Sequence, residues 1–238
     1  MTTPALIWSY LSQEPLLWLT ATLIAYWLGD RFFRATGRQS WANPVLFAVI
    51  LLALVLLVTG TTYQTCFEGA QFVHFMLGPA TVALGMPLYE NLHRVRRAAL
   101  PLIAALVAGS VTAVLSVLLI ARGFGLSPVM LASLAPKSTT APVAIGIAEN
   151  LGGEPTITAV LVLLTGMFGA IIATPLLNLL RIRDWRARGL AVGVAAHGIG
   201  TARAFQVNET AGAFASIGMG LNAVLTAIIA PLLLHLYR

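Results

Sequence analysis

Two short polar strings interrupt apolar stretches of the sequence, and each carries a cationic side chain. The first string reads PKSTTAP over residues 136–142, and the second reads HGIGTAR over residues 197–203. A guanidinium group can hold a carboxylate in a bidentate fork, whereas an ammonium group offers it a point charge. Lys137 and Arg203 therefore favour a small carboxylate as the bound species, and we expect a hydroxy- or keto-monocarboxylate.

The polar and small residues around these cations could bind the remaining atoms of such a ligand. Hydroxyl groups can bond a hydroxyl or keto oxygen, and histidine titrates near neutral pH and could carry a coupled proton. The candidate binding residues are Lys137, Ser138, Thr139, Thr140, His197, Gly198, Gly200, Thr201, Arg203 and Asn222. The candidates for proton coupling are His197, Glu149 and Glu209.

Each of these residues also has a structural interpretation. Arg203 could form an ion pair with Glu209, and Lys137 could reach water along its apolar stem. His197 could be a hydrogen-bonded residue at a turn. The structural roles of the remaining residues would be hydrogen bonding between helices for Asn222, solvent exposure for Glu149 and Glu209, and close helix packing for Gly198 and Gly200.

Composition sets the class of protein that must position these residues. Of 238 residues, 58% are hydrophobic and 9% are charged, whereas soluble domains average about 25% charged. These values exclude a soluble enzyme and a nucleic-acid-binding domain, although the net charge is +6. The single cysteine, Cys66, excludes an intrachain disulfide. No phosphate-binding loop, metal-ligand pair or catalytic triad is visible, so we expect neither enzymatic activity nor a cofactor or metal.

The apolar stretches are long enough to cross a bilayer, which requires about 20 residues per helix. We expect spans at about 6–28, 39–67, 69–89, 98–121, 155–180 and 210–237, the first of them retained in the protein. Arginine-rich segments at 31–38, 94–97 and 181–188 separate them. By the positive-inside rule, all three segments are expected on the cytoplasmic side.

Two segments do not fit as simple spans under this topology. Residues 127–150 must enter the membrane and return to the same side, with the PKSTTAP string at the tip, because both flanking spans have their other ends in the cytoplasm. Pro136 and Pro142 would break the helix there. Residues 189–209 are about as long and break near Gly198 and Gly200. We favour a second re-entrant hairpin from the cytoplasm, the alternative being a full crossing.

The two hairpin-plus-span units also resemble each other. AIIATPLL at 170–177 matches AIIAPLLL at 227–234, and the tips share Thr-Ala at 140–141 and 201–202. A unit that crosses the membrane an odd number of times is followed by an inverted copy, and inverted repeats with broken helices are typical of secondary transporters. We therefore predict an all-α integral membrane protein with about six full transmembrane helices and two opposed re-entrant hairpins. Residues 1–68 would form a scaffold, and residues 69–238 a transport-like core with repeats at 127–180 and 189–238.

The strings SLAPKS at 133–138 and AHGIGTARA at 196–204, followed by NETAGAFASIGMGLNAVLTAIIAPLLL, resemble the LrgB/CidB family of bacterial membrane proteins. The resemblance covers the chain from about residue 25 to its end. It implies a place in the bacterial cytoplasmic membrane and two alternative functions. One is antiholin- or holin-like control of murein hydrolase export and autolysis. The other is transport, since plastid relatives look like glycolate/glycerate carriers and bacterial relatives are implicated in pyruvate uptake.

These observations together favour a secondary transporter of small monocarboxylates such as pyruvate, lactate, glycolate or glycerate, working by alternating access. The alternative is the holin/antiholin-like regulator. The expected partners are the carboxylate, the lipid bilayer and a second copy of the chain, with a small LrgA/CidA-type membrane protein as a further partner implied by the resemblance.

Overall fold

The computed structural model describes residues 14–39, 41–76, 79, 83, 89 and 99–236, and within them all regular secondary structure is helical. This confirms the all-α prediction. The chain divides into two compact units, Met1–Ala83 and Leu84–Arg238. The predicted boundary after residue 68 therefore falls inside the first unit. The second arginine-rich segment at 94–97 and most of the expected span at 69–89 lie outside the described residues.

The first unit contains the helices α1 (Pro15–Ala35), α2 (Pro44–Thr59) and α3 (Tyr63–Phe75). The side chain of Asn43 caps α2 by accepting from the backbone N–H groups of Val45 and Leu46. Gly60 then ends α2 in the left-handed conformation, with φ of 66°. Helix α2 therefore covers the apolar run but is shorter than the span expected over 39–67, because glycine favours this conformation and stops the helix just after that run.

Helix α1 also differs from the predicted span at 6–28, whose start lies outside the described residues. It continues to Ala35 and so carries Arg31 and Arg34 within the helix rather than in a loop. Arg34 forms an ion pair with Asp30 one turn earlier, at 2.6 Å. This i, i+4 pair supports continuation of the helix beyond the apolar segment.

The second unit places long apolar helices beside shorter ones. Three of its helices are long and apolar enough to cross a membrane, and they match the spans expected at 98–121, 155–180 and 210–237. The described residues offer no other helix that meets this criterion, so the count of six full spans remains a prediction. The helices of the unit are α4 (Ala99–Gly123), α5 (Pro128–Leu134), α6 (Ala141–Leu151), α7 (Pro155–Leu179), α8 (Trp185–Val207) and α9 (Glu209–Leu236).

Helices α5 and α6, joined by a turn at 135–140, form what we call the first hairpin. Ser127 caps α5 through its hydroxyl, which accepts from the backbone N–H of Met130 at 3.3 Å. The hairpin packs against the C-terminal halves of α4 and α9 in one apolar cluster, made of Val114, Leu118, Ala121, Leu131, Ala132, Ala135, Ile147, Ala230 and Leu234. The first hairpin thus lies at the C-terminal end of the α4–α9 pair.

Helix α8 is broken at Ala196 and His197 and folds back on itself, forming the second hairpin. Ala196 has φ −128° and ψ 15°, and His197 has φ 40° and ψ −136°. A Cβ on Gly200 would lie 2.9 Å from Cγ1 of Val192, although eight residues of continuous helix rise about 12 Å. The arms, residues 185–195 and 198–207, are therefore antiparallel.

The second hairpin packs at the N-terminal end of the same α4–α9 pair. Its first arm shares an apolar cluster with the first halves of those helices, made of Leu102, Leu106, Leu190, Val194, Phe214 and Ile217. A Cβ on Gly189 or Gly193 would overlap the backbone of Ala211 or Ala215 on α9. These glycines let the two helices approach backbone to backbone. The two hairpins therefore reach the α4–α9 pair from opposite ends.

Candidate functional site

The tips of the two hairpins meet at the buried side chain of Asn222, near the middle of α9. Its Nδ2 donates to the carbonyl oxygens of Ser138 in the first tip and Val194 beside the second, both at 3.2 Å. Its Oδ1 accepts from Ser110 Oγ of α4 at 2.5 Å and from Thr226 Oγ1 at 3.3 Å. Both donors and both acceptor positions of the carboxamide are thus used, which fits a role in hydrogen bonding between helices.

His197 lies at the tip of the second hairpin with its ring against α7. Because a carbonyl can only accept, Nε2 of His197 carries hydrogen and donates to the carbonyl oxygen of Val162 at 2.9 Å. A Cβ on Gly166 would lie 2.5 Å from Cε1 of His197, so that glycine provides the space for the ring. Thr201 Oγ1 in turn donates to the carbonyl oxygen of His197 at 2.8 Å. His197 is thus a hydrogen-bonded residue at a turn, as its structural interpretation predicts.

A cavity of about 840 Å³ lies between α4 and the first arm of α8. Lys137 and Ser138 of the first tip line it at the inner end, where Asn222 and Val194 also meet. Asp184 and Arg186, at the start of α8, line it at the other end. Two predicted binding residues, Lys137 and Ser138, therefore lie together at the inner end of one cavity.

The charges around this cavity are not balanced. At the outer end, Asp184 and Arg186 form an ion pair at 2.6 Å, and Asp184 Oδ1 also caps α8 by accepting from the backbone N–H of Arg186. Hydrogen bonds from the side chain and backbone of Arg186 lower the pKa of Asp184 from 3.8 to about 2. At the inner end, half-buried Lys137 donates to Ser138 Oγ at 3.4 Å. Among the lining residues that the structure describes, the net positive charge therefore lies at the inner end.

The other predicted binding residues of the first tip are held within it. Thr139 is fully buried and donates from Oγ1 to the carbonyl oxygen of Pro136 at 2.9 Å. Thr140 occupies the N-cap position of α6, and Pro142 lies in the first turn of that helix. Pro136 therefore belongs to the turn that ends the first arm, whereas Pro142 starts the second.

Arg203 does not lie at the tip where the sequence pattern predicts it. The break occurs at Ala196 and His197, and Arg203 sits further along the returning arm, where it donates from Nη1 to Gln206 Oε1 at 3.4 Å. It lines a separate small pocket with Trp185 and Arg188. The expected break at Gly198 and Gly200 is likewise displaced, because Gly200 packs inside the returning arm against Val192.

Arg188 was expected in a basic cytoplasmic loop, but it belongs to α8 and is buried. It donates to the carbonyl oxygens of Ile182 at 3.3 Å and Thr174 at 3.5 Å. Its guanidinium carbon lies 4.7 Å from the ring centroid of Trp185. Arg188 thus binds one carbonyl oxygen near the carboxyl-terminal end of α7 and one in the loop that follows it.

Glu149 and Glu209 are exposed, near the C-terminal end of α6 and at the first residue of α9 respectively. Both lie away from the hairpin tips, as expected of solvated carboxylates. Sequence reasoning missed Ser110, Val162 and Gly166. Ser110 is a lone polar residue within VAGSV, and Gly166 is a small residue in an apolar span, so each left a weak signal, whereas a carbonyl acceptor such as that of Val162 leaves none.

Comparison with known proteins places this architecture in a family. A fold with three membrane-length apolar helices defines an integral membrane protein. Residues 22–236 match the LrgB-like family, and the chain belongs to that family. No solved structure matches the chain significantly.

Several bacterial proteins resemble nearly the whole chain. Protein YxaC of Bacillus subtilis, described as uncharacterized, is 37% identical over 195 residues, which cover 82% of this chain and 85% of YxaC. Uncharacterized protein YwbG of the same organism is 36% identical over 216 residues, 91% of this chain and 96% of YwbG. Holin-like protein CidB of Staphylococcus aureus is 32% identical over 224 residues, 94% of this chain and 97% of CidB. The expected family is confirmed.

Proposed function

We propose that this chain is a secondary transporter that moves a small monocarboxylate through the cavity between α4 and α8. The observation that carries the proposal is the meeting of two opposed hairpin tips at Asn222, beside the unbalanced charge of Lys137. An ionisable residue deep in a membrane protein is costly unless it is used or paired. Ser138, next to Lys137, offers a hydroxyl for a keto or hydroxy oxygen.

The same geometry supports an inverted repeat with two re-entrant hairpins in the bacterial cytoplasmic membrane. Each hairpin precedes a long apolar helix, α7 or α9, and the hairpins approach from opposite ends. With the arginine-rich segments in the cytoplasm, the cavity opens at Asp184 and Arg186 toward the cytoplasm. Alternating access then requires the tips to move relative to the α4–α9 pair.

Uptake into proteoliposomes tests this function. Labelled pyruvate, lactate and glycolate are offered with and without a pH gradient, which also tests proton coupling through His197, Glu149 or Glu209. Lys137→Gln should lower saturable uptake at least tenfold, because it removes the charge at the inner end. Arg183→Gln is the matched control, since Arg183 is exposed in the loop before α8. Equal uptake by wild type and Lys137→Gln would contradict the proposal.

A second candidate function is holin-like control of murein hydrolase export and autolysis, favoured by the name of the CidB relative. Such a role depends on assembly in the membrane and does not need Lys137 to meet a solute. Autolysis of cells that carry wild type or Lys137→Gln separates the two functions. Autolysis that depends on the chain but not on Lys137, together with no uptake even when an LrgA/CidA-type partner is added, would favour the holin-like function.

We further propose that the first unit is the scaffold of a homodimer. Its helices α1 and α2 leave large apolar side chains exposed, including Leu16, Leu23, Trp27, Leu57 and Val58. Lipid and a second copy of the chain are the two partners that suit such surfaces. Cross-linking of single cysteines on α1 and α2 in native membranes would detect the dimer, and exclusively monomeric product would oppose it.

A further inference from the structure

The walls of the cavity are much less polar than its inner end. Among the described residues that line it, Thr112 supplies the one hydroxyl beyond Ser138, and the charged groups are Lys137 at the inner end and the Asp184–Arg186 pair at the outer end. The rest is apolar and includes Leu102, Leu190, Val194 and Phe214. On the basis of the proposed transport function, we infer that the preferred ligands are 2-oxo or 2-hydroxy monocarboxylates with an apolar side chain, not polyhydroxylated acids or dicarboxylates.

The charge distribution selects a single carboxylate. Among the described lining residues, Asp184 pairs with Arg186 at 2.6 Å, and Lys137 is the cation outside that pair. A second carboxylate on the ligand would have to lie against an apolar wall or compete for that ion pair. Burying an unpaired charge or hydroxyl against such a wall carries a desolvation penalty. Glycerate and dicarboxylates therefore fit this cavity less well than pyruvate.

Small residues on both walls create the space for an apolar side chain. Ala105 and Ala108 on α4 and Ala191 and Ala195 on α8 all line the cavity and are exposed within the chain. Small residues at such spacing ordinarily let membrane helices pack closely, but here the walls enclose about 840 Å³. From Ala187 to Ala195 the arm rises about 12 Å, which gives the ligand's side chain a path from Lys137 toward the outer end.

The test measures inhibition of labelled pyruvate uptake by 2-oxobutanoate, 2-oxopentanoate and 2-oxohexanoate, with glycerate and succinate as polar controls. The inhibition constant should fall by up to about fourfold for each added methylene, the ratio that corresponds to about 0.8 kcal/mol per buried CH₂. Glycerate and succinate should inhibit more weakly than pyruvate. Ala191→Leu should remove most of the gain with length, whereas Val160→Leu, exposed on α7, should retain it.

Thermal stabilisation of the purified protein by the same acids gives a second readout that does not depend on uptake. It should increase with ligand length in wild type and be absent in Lys137→Gln. Constants that stay flat with length, while pyruvate uptake still requires Lys137, would overturn this inference and leave the transport function standing. Absence of both uptake and stabilisation by every acid would overturn the transport function as well.

Discussion

Ser110 on α4 donates a hydrogen bond of 2.5 Å to Oδ1 of Asn222 on α9, and the same carboxamide donates from Nδ2 to the carbonyls of both hairpin tips. Three segments of the chain, namely α4, the first tip and the first arm of α8, therefore converge on one buried side chain of α9. Such a network is stabilising when every member is satisfied, and costly when one member is lost. The first prediction follows from this convergence.

Replacing Asn222 should destabilise the second unit strongly. Asn222→Leu keeps a similar volume but leaves the carbonyls of Ser138 and Val194 without this donor, at about 1–3 kcal/mol for each buried group. Thr226→Val is the matched control, because it removes only the 3.3 Å bond to Oδ1. Denaturation of the purified protein in SDS measures both free energies of unfolding. If Asn222→Leu lowers the free energy of unfolding by no more than Thr226→Val does, the hydrogen bonds from Asn222 to the two hairpins do not stabilise the unit.

Gly166→Ala should destabilise the folded chain by crowding the imidazole of His197. The new Cβ would lie 2.5 Å from Cε1 and 2.8 Å from Nε2 of the imidazole, and overpacking of this kind costs about 1–3 kcal/mol. Gly146→Ala in α6 is the control, since a Cβ there meets nothing within 4 Å. The control should be neutral or gain up to about 1 kcal/mol of helix propensity.

A double mutant shows whether the imidazole causes the loss. In a His197→Ala background, Gly166→Ala should cost less than in wild type, because the imidazole atoms are gone and only Cδ1 of Ile199, at 2.9 Å, still crowds the methyl group. Additive costs would instead place the strain elsewhere.

Gly193→Ala should force the first arm of α8 away from α9. Its Cβ would overlap the carbonyl group of Ala215, and a backbone cannot rotate aside as a side chain can. We expect a loss of about 1–3 kcal/mol, as for other overpacked sites. Gly220→Ala, on α9 with no atom within 4 Å of the new Cβ, should cost nothing. Equal stability of the two variants would argue against the close contact.

Transport should not depend on the titration of Asp184 between pH 5 and 8. The bond to Arg186 lowers the pKa of Asp184 from 3.8 to about 2. Because the pKa is lowered, the contribution of the ionised Asp184 carboxylate to the stability of the folded chain is fully present above about pH 4. It is lost as the pH falls toward 2. The pH profile of uptake by Asp184→Asn should therefore have the wild-type shape over that range. A shifted midpoint would contradict this assignment.

Cysteine labelling should place the hairpins on opposite sides of the membrane. In a Cys66→Ser background, Phe124→Cys and Arg183→Cys introduce exposed thiols before the first and second hairpins. An impermeant maleimide should label Phe124→Cys in intact spheroplasts and Arg183→Cys only after permeabilisation. Ala191→Cys, on the cavity wall, should follow Arg183→Cys. Labelling of the first two from one side would rule out the proposed topology.

The sequence predicts the long helices well because their signal is a charge-free apolar run. Helices α4, α7 and α9 begin and end close to the expected residues. The PKSTTAP turn is equally visible, since proline marks it. Gly60 ends α2 beside Thr59, Thr61 and Thr62, and because these residues carry no charge they do not interrupt the charge-free stretch from which the span is predicted.

The second hairpin is harder to place from sequence. Its break falls at Ala196 and His197, one residue before the glycines that suggest it. Neither residue type breaks helices by itself. The surrounding packing selects the break, through the bond from His197 to Val162 and the space at Gly166. The sequence pattern consequently predicts Arg203 at the tip of the second hairpin. Because the break falls at Ala196 and His197, Arg203 lies further along the returning arm instead.

The shared carboxamide of Asn222 has a mechanical consequence. One side-chain torsion sets the direction of both Nδ2 hydrogens, and these hold the two breaks of the chain to the same point. Rotation about the Cβ–Cγ bond would release both breaks in a single step, with Ser110 and Thr226 then facing an amide instead of a carbonyl. Rotation of the Asn222 carboxamide therefore couples the two hairpins, because the hydrogen bond to one hairpin cannot be broken by this motion without breaking the hydrogen bond to the other.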